Sequence, residues 1–163
     1  MIIRLLLTGG TFDKEYNEIT GQLEFGRPHV EEMLKTSRIT SEVRIDQPLF
    51  KDSLDMTQDD RDLIANACKN AAENNIVITH GTDTMVETAL TIQRAQLTDK
   101  VIVLTGAMVP YSFGTKSDAM FNLGNALAFT QTLQPGVYIA MNGQYFPADK
   151  VQKDKTIGRF TAK

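Results

Sequence analysis

Cysteine occurs once in the 163 residues, at position 68, so no intrachain disulfide can form. Cys68 falls in a helical pattern with Leu63, Ile64, Ala67, Ala71 and Ala72, which makes it a core filler. Long hydrophobic runs are lacking as well. Ile2–Leu7 is interrupted by Arg4, and Val101–Leu104 is strand-sized. Neither can cross a bilayer, and neither resembles a secretory apolar segment with its cleavage site. The expectation is a cytoplasmic protein without membrane attachment. Positive charge is not in excess: 17 basic against 20 acidic residues leave a net charge of −3. No basic cluster offsets this, which argues against a nucleic-acid partner held by phosphate contacts.

Histidine is equally scarce. His29 and His80 stand alone, and without a Cys/His cluster no metal site is expected. His29 follows Pro28 and is expected at the surface or as a helix cap. His80 has two open roles, general base or a hydrogen-bonding brace for its own turn. The glycine turn Thr8-Gly9-Gly10-Thr11 lacks the lysine of a phosphate-binding loop, and the G-x-G-x-x-G dinucleotide fingerprint is missing. No cofactor is therefore expected. Internal repeats, low-complexity tracts and charge runs are absent.

What remains is a balanced globular composition, 42% apolar and 23% charged, of a length suited to one domain. Such a chain can bury about two thirds of its unfolded surface. Apolar runs at Ile2–Leu7, Val43–Leu49, Ile76–Thr79, Val101–Thr105 and Val137–Met141 predict strands buried on both faces. Helical patterns separate them. Pro28 opens a short one with Val30, Met33 and Leu34. Thr57-Gln58-Asp59-Asp60 reads as a capping box for a second, ended by Asn74-Asn75. Thr82 to Leu97 forms a third, and Ser117 caps a fourth that runs to about Thr130. The alternation predicts a single-domain α/β protein over 1–163, with a flavodoxin-like, mostly parallel sheet and helices on both faces. Residues 9–27 form one long irregular segment, placed where open α/β sheets hold their ligands. Beyond Met141 the chain turns polar and ends in a basic tail.

Three hydroxyl- and glycine-rich segments follow strands: Thr8-Gly9-Gly10-Thr11, Thr79-His80-Gly81-Thr82-Asp83-Thr84 and Thr105-Gly106-Ala107-Met108. In a parallel sheet all three converge at the carboxyl edge. Glycine admits a ligand close to the backbone, and the amides of such turns suit a carboxylate, phosphate or oxyanion. A threonine hydroxyl can act as nucleophile once a base takes its proton. With histidine scarce, Tyr16, Lys153 or a water is the candidate base.

At these residues the sequence resembles the bacterial-type L-asparaginase/glutaminase family of threonine amidohydrolases. Ile76-Val77-Ile78-Thr79-His80-Gly81-Thr82-Asp83-Thr84-Met85 matches the second family signature throughout, and Thr8-Gly9-Gly10-Thr11 the core of the first. Phe12-Asp13 departs from the small residues that commonly follow. Asp52–Met56, Thr105–Pro110, Ser117-Asp118, Asn122-Leu123 and Val151-Gln152-Lys153 resemble further segments in the right order. The resemblance covers nearly the whole chain and only the N-terminal half of a usual member, so on this reading the family's second domain, with its substrate-binding glutamate, is absent.

The resemblance implies roles. Thr11 matches the nucleophile that forms an acyl-enzyme. Thr82, Asp83 and Lys153 match a second catalytic cluster, and Tyr16 the tyrosine of a mobile active-site loop. Gly10, Ser53, Thr82, Asp83 and Ala107 match substrate-binding positions, with Ser53 at the α-carboxylate and Asp83 at the α-ammonium. Leu54 stands where many members carry glutamine, which implies weaker asparagine binding. Two roles are open to Lys153, a base when neutral or an electrostatic organiser of Thr82 and water when charged. The resemblance implies hydrolysis of a small-molecule amide, L-asparagine foremost, by a homodimer or larger homo-oligomer. The alternatives are another amidase, a binding module that keeps the pocket without turnover, and, least supported, a phosphate binder.

Overall fold

The computed structural model describes residues 1–163. Numbered along the chain, its strands are β1 (Ile2–Leu7), β2 (Lys14–Asn17), β3 (Gln22–Phe25), β4 (Glu42–Asp46), β5 (Asn75–Thr79), β6 (Val101–Thr105), β7 (Gly136–Met141), β8 (Gln144–Pro147), β9 (Val151–Asp154) and β10 (Arg159–Ala162). The helices are α1 (Val30–Thr36), α2 (Gln58–Asn70), α3 (Met85–Arg94) and α4 (Ala119–Thr132). Six strands form the central sheet in the order β4-β1-β5-β6-β7-β8. The first five are parallel and β8 runs antiparallel to β7. The five parallel strands follow flavodoxin-like order, in which ligands bind beyond the carboxyl ends where the winding reverses. Here that point lies between β1 and β5.

The middle strands are apolar on both faces because helices cover both. Ile76 and Ile78 of β5 and Ile102 and Leu104 of β6 point into one core with Ile64 and Cys68 of α2 and Ala89 and Ile92 of α3. Val77 and Val103 alternate into the other core with Val30 and Met33 of α1 and Leu123 and Ala126 of α4. Cys68 is fully buried, and burial pushes its thiol up to about 12. No helix is long and apolar enough to cross a membrane.

Helix α2 begins as its capping box predicts. Thr57 Oγ1 accepts from Asp60 N, and the Asp60 carboxylate accepts from Thr57 N. The Lys51 ammonium, together with this bond, holds the Asp60 carboxyl down to about 2. The helix ends at Asn70, earlier than expected, because Asn75 already belongs to β5. Helix α3 starts three residues later than expected, because residues 82–84 are spent on the turn after β5.

Two regions differ from their sequence reading. Residues 9–27 are not irregular throughout: β2 and β3 pair antiparallel, Lys14 opposite Phe25 and Asn17 opposite Gln22. The polar tail carries β8 and the hairpin β9–β10, whose Val151 and Phe160 are buried in the core of α2 and α3. His29 takes the N-cap position of α1, one of its two expected places, but it is buried, with its ring against Tyr111.

Candidate active site

The three glycine turns meet at the carboxyl edge. The turn after β1 closes against the turn after β5 so tightly that a Cβ on Gly10 would lie 2.4 Å from Gly81 N. Gly10 also has φ +100, a backbone conformation that side chains resist. Gly81 in turn abuts Ser53, whose Oγ would be 2.5 Å from an added Cβ, and Gly106 abuts the His80 carbonyl at the same distance. Glycine at 10, 81 and 106 is thus what lets three strand ends share one small region. Thr11 opens a single 3-10 turn, Thr11–Asp13, whose other two residues are fully buried. Its own side chain is half-buried and its hydroxyl makes no hydrogen bond to the protein.

Lys153 crosses from β9 to the turn after β5. Its Nζ donates to Thr82 Oγ1 at 2.8 Å and to Asp83 Oδ1 at 2.7 Å. The lysine is largely enclosed, whereas the Asp83 side chain remains 40% exposed, so the pair is open to water on its acid side. As an ammonium, Lys153 is the donor in both bonds. Thr82 Oγ1 accepts, which leaves the Thr82 proton free to be donated elsewhere. Thr84 Oγ1 donates to the Ser53 carbonyl and ties this turn to residues 53–55.

His80 acts as a brace. It is fully buried, its Nδ1 lies 2.7 Å from the Gly81 carbonyl and its Nε2 2.8 Å from Thr88 Oγ1. A carbonyl only accepts, so Nδ1 carries the proton and Nε2 accepts from Thr88. Burial lowers the imidazole to about 4 and keeps it neutral. His80 is therefore a brace, not an accessible base.

Tyr16 lies on β2, exposed, opposite Leu23, with no hydrogen bond from its hydroxyl; the structure does not bring it into the Thr82–Asp83–Lys153 cluster. Ser53 is buried against Gly81, and Leu54 beside it is exposed. Ala107 is fully buried and its methyl faces the core of α1 and α4, so the surface it offers a ligand is main chain.

Sequence reasoning assigned no part to two residues that build the third turn. Asp118, just before α4, accepts from Met108 N and Val109 N, and Asn122 Nδ2 donates to its carboxylate. Asn122 also donates to the Gly106 carbonyl and accepts from Asn142 N, joining two strand-end turns. The readable signal was a carboxylate at a helix start ten residues after a glycine turn. Asp52 is a similar omission. Burial would raise its carboxyl, but the paired Lys14 ammonium and the Leu54 N–H hold it low. No three His, Cys, Asp or Glu side chains are grouped as metal ligands would be.

The family described as Asparaginase, N-terminal matches residues 2–161. The glutaminase-asparaginase of Acinetobacter glutaminasificans is 39% identical over 106 residues, 63% of this chain and 30% of that protein. The thermostable L-asparaginase from Thermococcus kodakarensis superposes with TM-score 0.83 at 28% identity, covering 99% of this chain and 51% of that one. A probable cytoplasmic L-asparaginase from Campylobacter jejuni superposes with TM-score 0.81 at 29% identity, covering 98% and 52%. The chain spans about half the length of these solved structures.

Proposed function

Since the chain belongs to the asparaginase family, matching its N-terminal domain, we propose that it hydrolyses the side-chain amide of L-asparagine, or of glutamine, to the acid and ammonia. The observation that carries this reading is the direct hydrogen bonding of Lys153 to both Thr82 and Asp83, beside the Gly10–Gly81 contact that places Thr11. In the proposed reaction the Thr11 oxygen attacks the amide carbon. The C–N bond breaks, the amide nitrogen takes up the proton that the Thr11 hydroxyl gives up, ammonia leaves, and an ester to Thr11 remains. Water then cleaves the ester to give the acid and restore the hydroxyl. Turn amides stabilise the oxyanion, and Lys153 as an ammonium orients Thr82 and the attacking water. Asp83, with one carboxylate oxygen free, receives the substrate ammonium, and Ser53 the carboxylate.

A second reading, amide or amino-acid binding without turnover, draws on one observation: the Thr11 hydroxyl makes no hydrogen bond within the protein. Ammonia release from a panel of asparagine, glutamine and peptide amides separates the two. Release from asparagine supports hydrolysis. Thermal stabilisation by aspartate and asparagine with no ammonia supports binding alone. Leu54 offers no polar group at the amino-acid end, so asparagine affinity is expected in the millimolar range. A hydrogen bond to a charged group is worth roughly 1.5–3 kcal/mol, so Leu54→Gln should lower KM about tenfold or more.

We also propose a homodimer or larger homo-oligomer working in the cytoplasm. Exposed Tyr16, Ile19, Leu23 and Phe25 on the hairpin next to Thr11 support an interface there. The lone buried thiol and the likeness to a probable cytoplasmic L-asparaginase support the compartment.

A further inference from the structure

Asp13 is a buried titratable group that the proposed reaction does not use. It is fully enclosed, two residues after Thr11, where a small residue was expected from the family resemblance. Burial raises its carboxyl above the usual range. Oδ1 accepts from His29 N at 3.0 Å, while Oδ2 is buried with no partner. Its main chain is committed as well: Asp13 N donates to the Gly10 carbonyl at 3.2 Å, and its carbonyl accepts from Gly26 N at 3.0 Å. One residue thereby joins the glycine turn before Thr11, the close of hairpin β2–β3 and the start of α1. Enclosing a carboxyl with one oxygen unsatisfied is costly, and such a group in a folded protein calls for a role.

The Thr11 hydroxyl has no hydrogen bond of its own, so its direction depends on the backbone of the Thr11–Asp13 turn alone. We propose that Asp13 is a positioning residue for Thr11: its bond to His29 N, with its main-chain bonds to Gly10 and Gly26, locks the nucleophile turn to the base of the hairpin and to α1. This role for Thr11 rests on the amidohydrolase reading, but the lock itself does not. Loss of the side-chain acceptor frees His29 N and loosens the turn, without touching the strands of the central sheet.

Amide hydrogen exchange on the full chain tests the lock without reference to activity. Asp13→Ala should raise exchange of residues 9–14 and 26–30 at least tenfold and leave β5 and β6 unchanged. Asp13→Asn, which keeps an acceptor for His29 N, should stay within threefold of the parent. Unchanged exchange in Asp13→Ala, or a rise shared equally by β5 and β6, overturns the proposal in favour of no role or a general structural one. Ammonia release supplies the second arm. Asp13→Ala should lose at least tenfold in kcat with KM within threefold, and Asp13→Asn should restore most of it. An unchanged kcat overturns the positioning role. A parent chain that releases no ammonia overturns the amidohydrolase reading instead, and the exchange result still decides the lock.

Discussion

His80 spends both ring nitrogens inside the protein, on Gly81 and Thr88, and is neutral because protonation would place a charge in the core. Its folded value of about 4 lies below the ordinary 6.5. The unfolded chain therefore binds the extra proton between these two values, and stability falls as pH drops from 6.5 towards 4. The contribution is about 3 kcal/mol, fully present above pH 6.5. Urea unfolding at pH 7 and pH 4.5 should show the parent losing roughly 2–3 kcal/mol more than His80→Gln; parallel losses in the two would contradict the assignment. At this scale the sequence spoke clearly where chemistry is rare. Thr82 and Asp83 stood out within a fully matched signature, Thr11 at the core of another, Lys153 in a short resembling stretch, and His80 as one of two histidines. Asp13, Asp118 and Asn122 did not, because their partners are backbone amides and carbonyls. Such partners leave no side-chain pattern to read.

Among the elements, α2 is the one whose start rests on a single local motif. Thr57→Ala removes the acceptor for Asp60 N and should cost about 1 kcal/mol. For a chain of this length that is a fall in Tm of about 2–4 °C, measurable by thermal circular dichroism. An unchanged Tm would mean that Lys51 and Asp60 hold the helix start without the threonine. Strands β5 and β6 were legible because burial on both faces leaves continuous apolar runs. Hairpin β2–β3 was not. All four residues of β3 are exposed, so no alternation of apolar and polar residues marks it. The hairpin β9–β10 was hidden by its charge: Lys153 and Arg159 read as a basic tail, while its anchors, Val151 and Phe160, are only two residues.

For the molecule as a whole, sheet order assembles the candidate site. Thr11 follows β1, Thr82 and Asp83 follow β5, and Lys153 comes from β9, well over a hundred residues beyond Thr11 in the chain. The flavodoxin-like order brings the first two together where the winding reverses, and hairpin β9–β10 carries the lysine across α3. The fold class was legible from the alternation of apolar runs and helical patterns. The antiparallel β8 was not, since Gln144–Pro147 has only one buried apolar residue, Phe146. The exposed apolar side chains of hairpin β2–β3 lead to a prediction of assembly: sedimentation velocity at micromolar concentration should find species larger than the 18.1 kDa protomer. A protomer alone, fully active, would contradict it.

Thr11 as the proposed nucleophile is tested most directly by ammonia release from L-asparagine by the 163-residue chain and its Thr11→Ala variant. The half-buried Thr11 side chain contributes little packing, so the variant should fold. Loss of a covalent nucleophile should cut its turnover by about a thousandfold or more. Turnover within tenfold of the parent, or a parent that releases no ammonia at all, would contradict the account.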